Sequence, residues 1–267
     1  MELLNIACGG RYHKDWTNVD FHADSNLVKK VNLLGGLPFE NDLFDGIYSS
    51  HFLEHLSIEQ ARFVIIDAKR VLKKNGILRI VVPDLENICR EYLNILELVS
   101  NNQELDDKYE WITVELFDQL ARVNNGGEMI KIFNNVSNNN NIRLSEYILH
   151  RTGDELLKKN KVKLTKIITV DKIKNKLLYL YLQFIRFLIP KNLRDLIFVN
   201  TTVGERHQWM YDSYSMSKLL QDIGFSDISI KSYNTSSING FNKYILDIKE
   251  DGTPYKGVSS LYIEAVK

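Results

Sequence analysis

Phe44-Asp45-Gly46-Ile47-Tyr48-Ser49-Ser50-His51-Phe52-Leu53-Glu54-His55-Leu56 decides the fold. A short apolar strand, Asp45–Ser49, delivers polar residues to its end just before a helix begins. The same grammar runs outward on both sides. Upstream, Glu2–Ala7 reads as a buried strand running into Cys8-Gly9-Gly10. Thr17–Phe21 is a second strand ending at Asp20, and Lys29–Leu33 is a third, stopped by Gly35-Gly36. Downstream, Ser57 caps a helix to Lys73, in which Ala61, Val64, Ile65, Ala68, Val71 and Leu72 recur at steps of three and four. Lys74-Asn75-Gly76 ends it, and Ile77–Val82 is a strongly apolar strand. Strands separated by helical segments predict a parallel sheet with right-handed crossovers.

The chain then changes character. Residues 85–205 are mostly helical in pattern, with an asparagine-rich loop, Asn134 to Asn141, breaking the run. Lys158–Lys176 is locally basic. Leu177–Ile189 is apolar and aromatic, but shorter than the roughly 20 residues a membrane span needs. A basic stretch before an amphipathic one is able to lie on a membrane surface. The reading preferred is a helix buried inside its own domain. The α/β pattern returns with a helix at Ser215–Asp222 and strands at Asp227–Tyr233 and Leu261–Val266. A long polar connection carrying the turn formers Asn239-Gly240 and Asp251-Gly252 joins those two strands.

Composition narrows the class. Lys plus Arg and Asp plus Glu are both 34 in 267 residues, so net charge gives no drive toward nucleic acid, and none is expected as a partner. Two distant cysteines, Cys8 and Cys89, make no disulfide framework and fit a reduced, cytoplasmic protein. Leu4–Cys8 faintly resembles a lipoprotein cleavage box, but Met1–Leu4 is too short for a signal peptide. No metal-ligand spacing stands out, so no metal is expected.

A nucleotide-like cofactor in an open α/β sheet binds beyond the carboxyl ends of the strands. Three features fall at that edge. Asn5–Gly10 places small residues where a backbone must approach a ligand. Asp20 offers a carboxylate for two ribose hydroxyls. Phe44–Leu56 brings Ser49, Ser50, His51 and His55 to the same edge.

On these residues the chain resembles the class I S-adenosylmethionine-dependent methyltransferases. Asn5–Gly10 is similar to their glycine-rich cofactor loop, and Asn18-Val19-Asp20 to their ribose-binding strand end. Leu37-Pro38-Phe39 with Phe44–Leu56, and Val71–Leu78, are similar to blocks of the commonest bacterial branch. His207–Asp212 and Ser260–Lys267 resemble methyltransferases of surface-polysaccharide (capsule, O-antigen) synthesis, among which some serve the O-methyl phosphoramidate decoration of capsules. Two positions depart from the family: its first loop glycine is Ala7 here, and its acidic residue after strand three is Asn32.

The resemblance implies a doubly wound, seven-stranded, mostly parallel sheet whose final strand is antiparallel. Residues 1–84 and 206–267 form the cofactor-binding core, and 85–205 a helical cap over the acceptor. It implies S-adenosylmethionine as cofactor, contacted by Ala7, Cys8, Gly9, Gly10, Asp20, Asn32, Leu33, Ser49, Ser50 and His55. The expected acceptor is a small molecule or glycan, and the expected reaction an O-methylation in bacterial surface (capsular) polysaccharide synthesis, on a sugar hydroxyl or a phosphoramidate or phosphate precursor. A hydroxyl acceptor gains from a general base. His207 is the first candidate and His51 the second, with Arg206, Trp209 and Tyr211 expected to contact substrate and Arg151 a further cation for an anionic acceptor. Two rivals stand beside this reading. A nicotinamide-dependent dehydrogenase needs a fuller Gly-x-Gly-x-x-Gly turn than Ala7–Tyr12 provides. A non-catalytic S-adenosylmethionine-binding protein keeps the pocket without turnover.

Overall fold

The computed structural model describes residues 1–23, 25–157, 170–190 and 205–267. Seven strands form one sheet: β1 (Leu3–Ile6), β2 (Thr17–Asp20), β3 (Val28–Lys30), β4 (Phe44–Ser50), β5 (Leu72–Pro83), β6 (Ser226–Lys231) and β7 (Ser260–Val266). Their spatial order is β3-β2-β1-β4-β5-β7-β6. The first five are parallel, and β7 runs antiparallel to both neighbours. This is the doubly wound, seven-stranded architecture expected. Strand order reverses between β1 and β4, so the switch point lies at the ends of these two strands, where open α/β sheets bind ligands.

Alternation along the strands sorts the side chains onto two faces. Leu4, Ile6, Ile47, Leu78, Ile80, Val82, Leu261, Ile263 and Ala265 pack on one face with α1 (Ile58–Val71) and the last helix, Ser213–Ile223. Ser57 and Gln60 cap α1 reciprocally, which fixes where it starts. The opposite face is filled differently. No helix links β1 to β2; that connection is a loop ending at Trp16. Trp16 joins Ile238, Phe241, Tyr244 and Leu246, from the connection between β6 and β7, over Leu3, Tyr48, Val81 and Tyr262. That connection reads as polar in the sequence, yet it is the second layer of the core. Third-strand pairing stops at Lys30, and Leu33 lies instead in a 3₁₀ turn, Leu33–Gly35, capped by Asn32.

After β5 come α2 (Leu85–Val99), α3 (Asp106–Ala121), α4 (Met129–Asn139), α5 (Ile142–Thr152) and α6 (Val170–Leu188); the last helix is α7 (Ser213–Ile223). The asparagine-rich stretch is not a loop. Its residues run through the end of α4; Asn140 takes the left-handed cap and Asn141 caps α5 through Leu144 N. Asparagine suits both positions because its short amide tolerates positive φ and bonds nearby backbone.

The expectation of a buried Leu177–Ile189 is overturned. Leu177 is 62%, Leu180 55% and Phe184 60% exposed. The helix is amphipathic, yet its apolar residues stay exposed, so helical periodicity fixed the element but not its cover. Part of 85–205, namely 158–169 and 191–204, lies outside the described residues. No helix among the described residues is long and apolar enough to cross a membrane.

Candidate active site

Two neighbouring cavities open at the switch point. The first, about 190 Å³, is lined by Asn5, Ala7, Cys8, Gly9, Gly10 and Ser50 from the ends of β1 and β4, together with Tyr48, His51, Tyr255 and Lys256 among others. Ala7 has φ 54° and His51 φ 50°, left-handed values at the two strand ends that face each other. At Ala7 this is the conformation that favours glycine. A Cβ added at Gly9 or Gly10 meets nothing within 4 Å, so both backbones border open space. Asn5 Oδ1 is buried without a partner at the floor.

Asp20 sits at the end of β2 beside this cavity. Its Oδ2 accepts Gly9 N at 2.9 Å and its Oδ1 accepts His22 N at 2.9 Å. The carboxylate thus shapes the glycine loop, and each oxygen keeps a lone pair for a ligand hydroxyl. Burial, then the nearby Asp20 charge, push the Cys8 thiol up to about 12, so it stays protonated and is no nucleophile. Ser49 is buried with an unpartnered Oγ. Asn32 is exposed, and its Oδ1 holds Leu34 N at 3.2 Å. Leu33 is 2% exposed and packs in the core, so only its backbone is available to a ligand.

The second cavity, about 260 Å³, lies between the sheet edge and the helices after β5. Ile88 of α2, Glu115 and Gln119 of α3, Met129 and Phe133 of α4, and Thr152–Asp154 line it opposite His51, Pro83, His207, Met210 and Ser259. His51, Tyr255 and Lys256 line both cavities. Two glycines hold Tyr255 and Lys256 there: a Cβ on Gly153 runs into the Tyr255 carbonyl, and one on Gly257 into the Arg151 carbonyl.

Behind His51 stands Glu54, fully buried, with His51 Nδ1 at 3.4 Å and His55 Nε2 at 3.9 Å. The His55 and His207 rings meet edge-on, 4.9 Å between centroids. Burial alone raises a carboxyl pKa; the His51 bond and the charges of His51, His55 and His207 reverse this and hold Glu54 at about 2. Burial lowers His207 to about 4, against the pull of Glu54, and lowers His51 in the same way. Both rings are therefore neutral at pH 7, the state a base needs.

Several sequence-derived assignments change. His55 does not line the cofactor cavity: its Nδ1 bonds the Arg206 carbonyl at 3.1 Å and it faces the Glu54 cluster. Arg206 donates to the Leu120 carbonyl, Trp209 is 44% exposed and Tyr211 is buried in the core, so none of the three lines the acceptor-side cavity. The reason is local: Gln208 N and Trp209 N both bond the Glu54 carbonyl, which turns the chain and presents Met210 instead. Arg151 is locked to Glu115 at 2.9 and 3.1 Å and to Asn87, so its charge is already neutralised. Sequence reasoning missed Lys256, Tyr255 and Glu54. The first two sit in the β6–β7 connection, where no local pattern marks them. Glu54 was legible as part of the Phe44–Leu56 block but not as its buried centre.

Residues 5–80 match the family model described as Methyltransferase domain. This stretch is similar to a methyltransferase domain. Its cofactor is S-adenosylmethionine, and the cavity above Gly9 and Gly10, with Asn5 at its floor and Asp20 beside it, has the open backbone and free acceptors to hold that group. No curated protein matches the chain. Among solved structures, a SAM-dependent methyltransferase from Archaeoglobus fulgidus is 14% identical, with 100% of this chain and 86% of that one covered and a TM-score of 0.38. A putative S-adenosylmethionine-dependent methyltransferase from Listeria monocytogenes is 12% identical, covering 100% and 90%, with a TM-score of 0.37.

The methyltransferase domain makes a first test direct. Asp20→Ala removes a charge-assisted acceptor worth roughly 1.5–3 kcal/mol. S-adenosylmethionine affinity measured by calorimetry is expected to fall about ten- to a hundred-fold. Unchanged affinity in a folded variant removes Asp20 from the cofactor site.

Proposed function

We propose that this methyltransferase O-methylates a small glycan or phosphorylated precursor in bacterial surface (capsular) polysaccharide synthesis. The observation that carries the O-methylation is the position of His51, which borders both cavities with Glu54 behind it. Support for the pathway comes from the resemblance carried by His207–Asp212 and Ser260–Lys267.

S-adenosylmethionine supplies an electrophilic methyl group on its sulfonium. The residues of this chain do the rest. The loops at Gly9–Gly10 and Ser50 hold the donor on one side of His51. Helices α2 to α5 cap the acceptor on the other, shielding it from bulk water; much of the acceleration in such a site comes from alignment, worth roughly 7–11 kcal/mol. Glu54 orients the His51 ring through Nδ1, leaving Nε2, now 3.0 Å from Ser260 Oγ, to take the hydroxyl proton. Lys256, at the boundary, places a positive charge beside the transferring methyl, where a phosphate or phosphoramidate of the acceptor gains a charge-assisted bond.

The test is a panel of nucleotide-linked sugars, sugar phosphates and phosphoramidate precursors incubated with S-adenosylmethionine, with methyl transfer read by mass spectrometry. Lys256→Gln is expected to raise KM for an anionic acceptor by roughly ten-fold or more with kcat little changed, the signature of lost uniform binding. An unaltered KM sends the anionic group elsewhere. No transfer to any member of the panel, with the donor still bound, favours the non-catalytic reading.

A further inference from the structure

Glu54 is a buried carboxylate whose surroundings do not satisfy it. Its exposure is zero, and no well-formed hydrogen bond reaches either oxygen: His51 Nδ1 stands 3.4 Å from Oε1, a long contact that leaves Oε2 with nothing. His55 and His207 converge on it: one donor atom from each of the three residues lies within 4.8 Å of the others. The protons decide what this cluster lacks. His55 Nδ1 faces the Arg206 carbonyl at 3.1 Å, and a carbonyl only accepts, so Nδ1 carries the hydrogen. In the neutral ring, Nε2 is then a lone pair, and it points toward the Glu54 carboxylate from 3.9 Å. That separation is also too long for an N–H of a protonated ring to bond the carboxylate. Lone pairs that face one another across this gap present the donor atoms a cation would take.

We propose that Glu54, His55 and His207 bind one divalent first-row transition metal ion, of the zinc class. Two imidazoles and a carboxylate are a donor set that such ions take, with a fourth position open. Donors on one ion at about 2.1 Å stand roughly 3–3.5 Å apart, so the three groups close in by about 1 Å on binding. The Arg206 carbonyl already supplies the outer partner that fixes a ligating histidine's tautomer. Sequence spacing hid the site, because Glu54 and His55 lie after β4 while His207 enters from the far side of the helices.

The open position faces the larger cavity, since His207 lines it beside His51. The ion's role rests on the proposed function: it takes the acceptor oxygen as a ligand and lowers that oxygen's proton affinity. His51 Nε2 accepts the proton. The oxygen lone pair forms the new O–C bond, the S–C bond breaks with its electron pair staying on sulfur, and the ion leaves the cycle unchanged.

The experiment is metal analysis of the whole protein, stripped with chelator and then titrated with Zn²⁺ and, separately, Co²⁺. Close to one equivalent is expected, with a Co²⁺ visible spectrum of a low-coordinate N/O site. His55→Gln and His207→Gln each lose the equivalent, while the exposed His150→Asn retains it. Circular dichroism checks that the variants fold, and Glu54→Gln is a third arm should one histidine variant not. A wild type that takes up no stoichiometric metal overturns the site and leaves a histidine–carboxylate cluster held by protons. So does a stoichiometry that survives all three cluster substitutions or falls equally in His150→Asn. Donor affinity by calorimetry reports on the methyltransferase reading independently. If the ion binds but the stripped enzyme transfers methyl at the full rate, its role toward the acceptor is overturned.

Discussion

Arg79→Met is expected to destabilise the protein by about 3–5 kcal/mol, the range for removing one partner of a buried ion pair. Arg79 is fully buried. Its Nε donates to Asp247 at 2.7 Å and its Nη1 to Glu264 at 2.9 Å, while the carbonyls of Thr235 and Ser232 take two more of its five hydrogens. Tyr48 donates to the other Asp247 oxygen, and Phe241 and Tyr262 flank the guanidinium. Methionine matches the stem but leaves the buried Asp247 carboxylate without its cation and Glu264 with only Lys231, at 3.9 Å. The loss is large against a typical total of roughly 5–15 kcal/mol. Urea denaturation followed by circular dichroism measures it. Because Asp247 anchors the connection that carries Tyr255 and Lys256, donor affinity is expected to fall as well. Replacing Arg79, Asp247 and Glu264 together by apolar residues should cost less than Arg79→Met alone, since no charge is then stranded. A loss under about 1 kcal/mol for Arg79→Met shows that apolar packing alone holds that face.

His51→Asn is expected to lower kcat for a hydroxyl acceptor by roughly 100- to 10,000-fold, the usual contribution of a general base. Asparagine is the informative replacement here. It tolerates the left-handed backbone at this position, φ 50°, better than alanine does, so a loss of rate reflects the ring and not a disturbed strand end. S-adenosylmethionine affinity should stay within a few-fold, because the donor is held mainly by the glycine loop and Asp20. Rapid-quench measurement of a single turnover separates chemistry from product release. An unaltered single-turnover rate removes His51 as the base. With an already ionised acceptor the loss is milder, since no proton has to leave.

The donor side of this site was legible because its determinants are local. A turn that needs small residues is written as Ala7-Cys8-Gly9-Gly10, and a strand end that needs a carboxylate is written as Asp20. The acceptor side was not, and the misreadings share a cause. Arg206, Trp209 and Tyr211 looked like a substrate wall by their chemistry, but two hydrogen bonds to the Glu54 carbonyl turn that segment and bring Met210 inward. Arg151 looked like a free cation until Glu115, on another helix, was found against it. Lys256 lies in a connection that reads as polar, where no local pattern marks it.

The sequence by itself determined the sheet, its order of strands and helices, and the cofactor loop, because hydrophobic alternation, capping pairs and turn residues act between neighbours in the chain. Only the tertiary structure decided what covers the sheet's second face, which histidine stands between the two cavities, and that Glu54, His55 and His207 meet in one cluster. Those outcomes depend on contacts between residues far apart in the chain, such as Arg79 with Asp247, Gly257 with Arg151, and His207 with His55. Close packing and the need to pair buried charges select such contacts, and neither leaves a periodic trace in the chain.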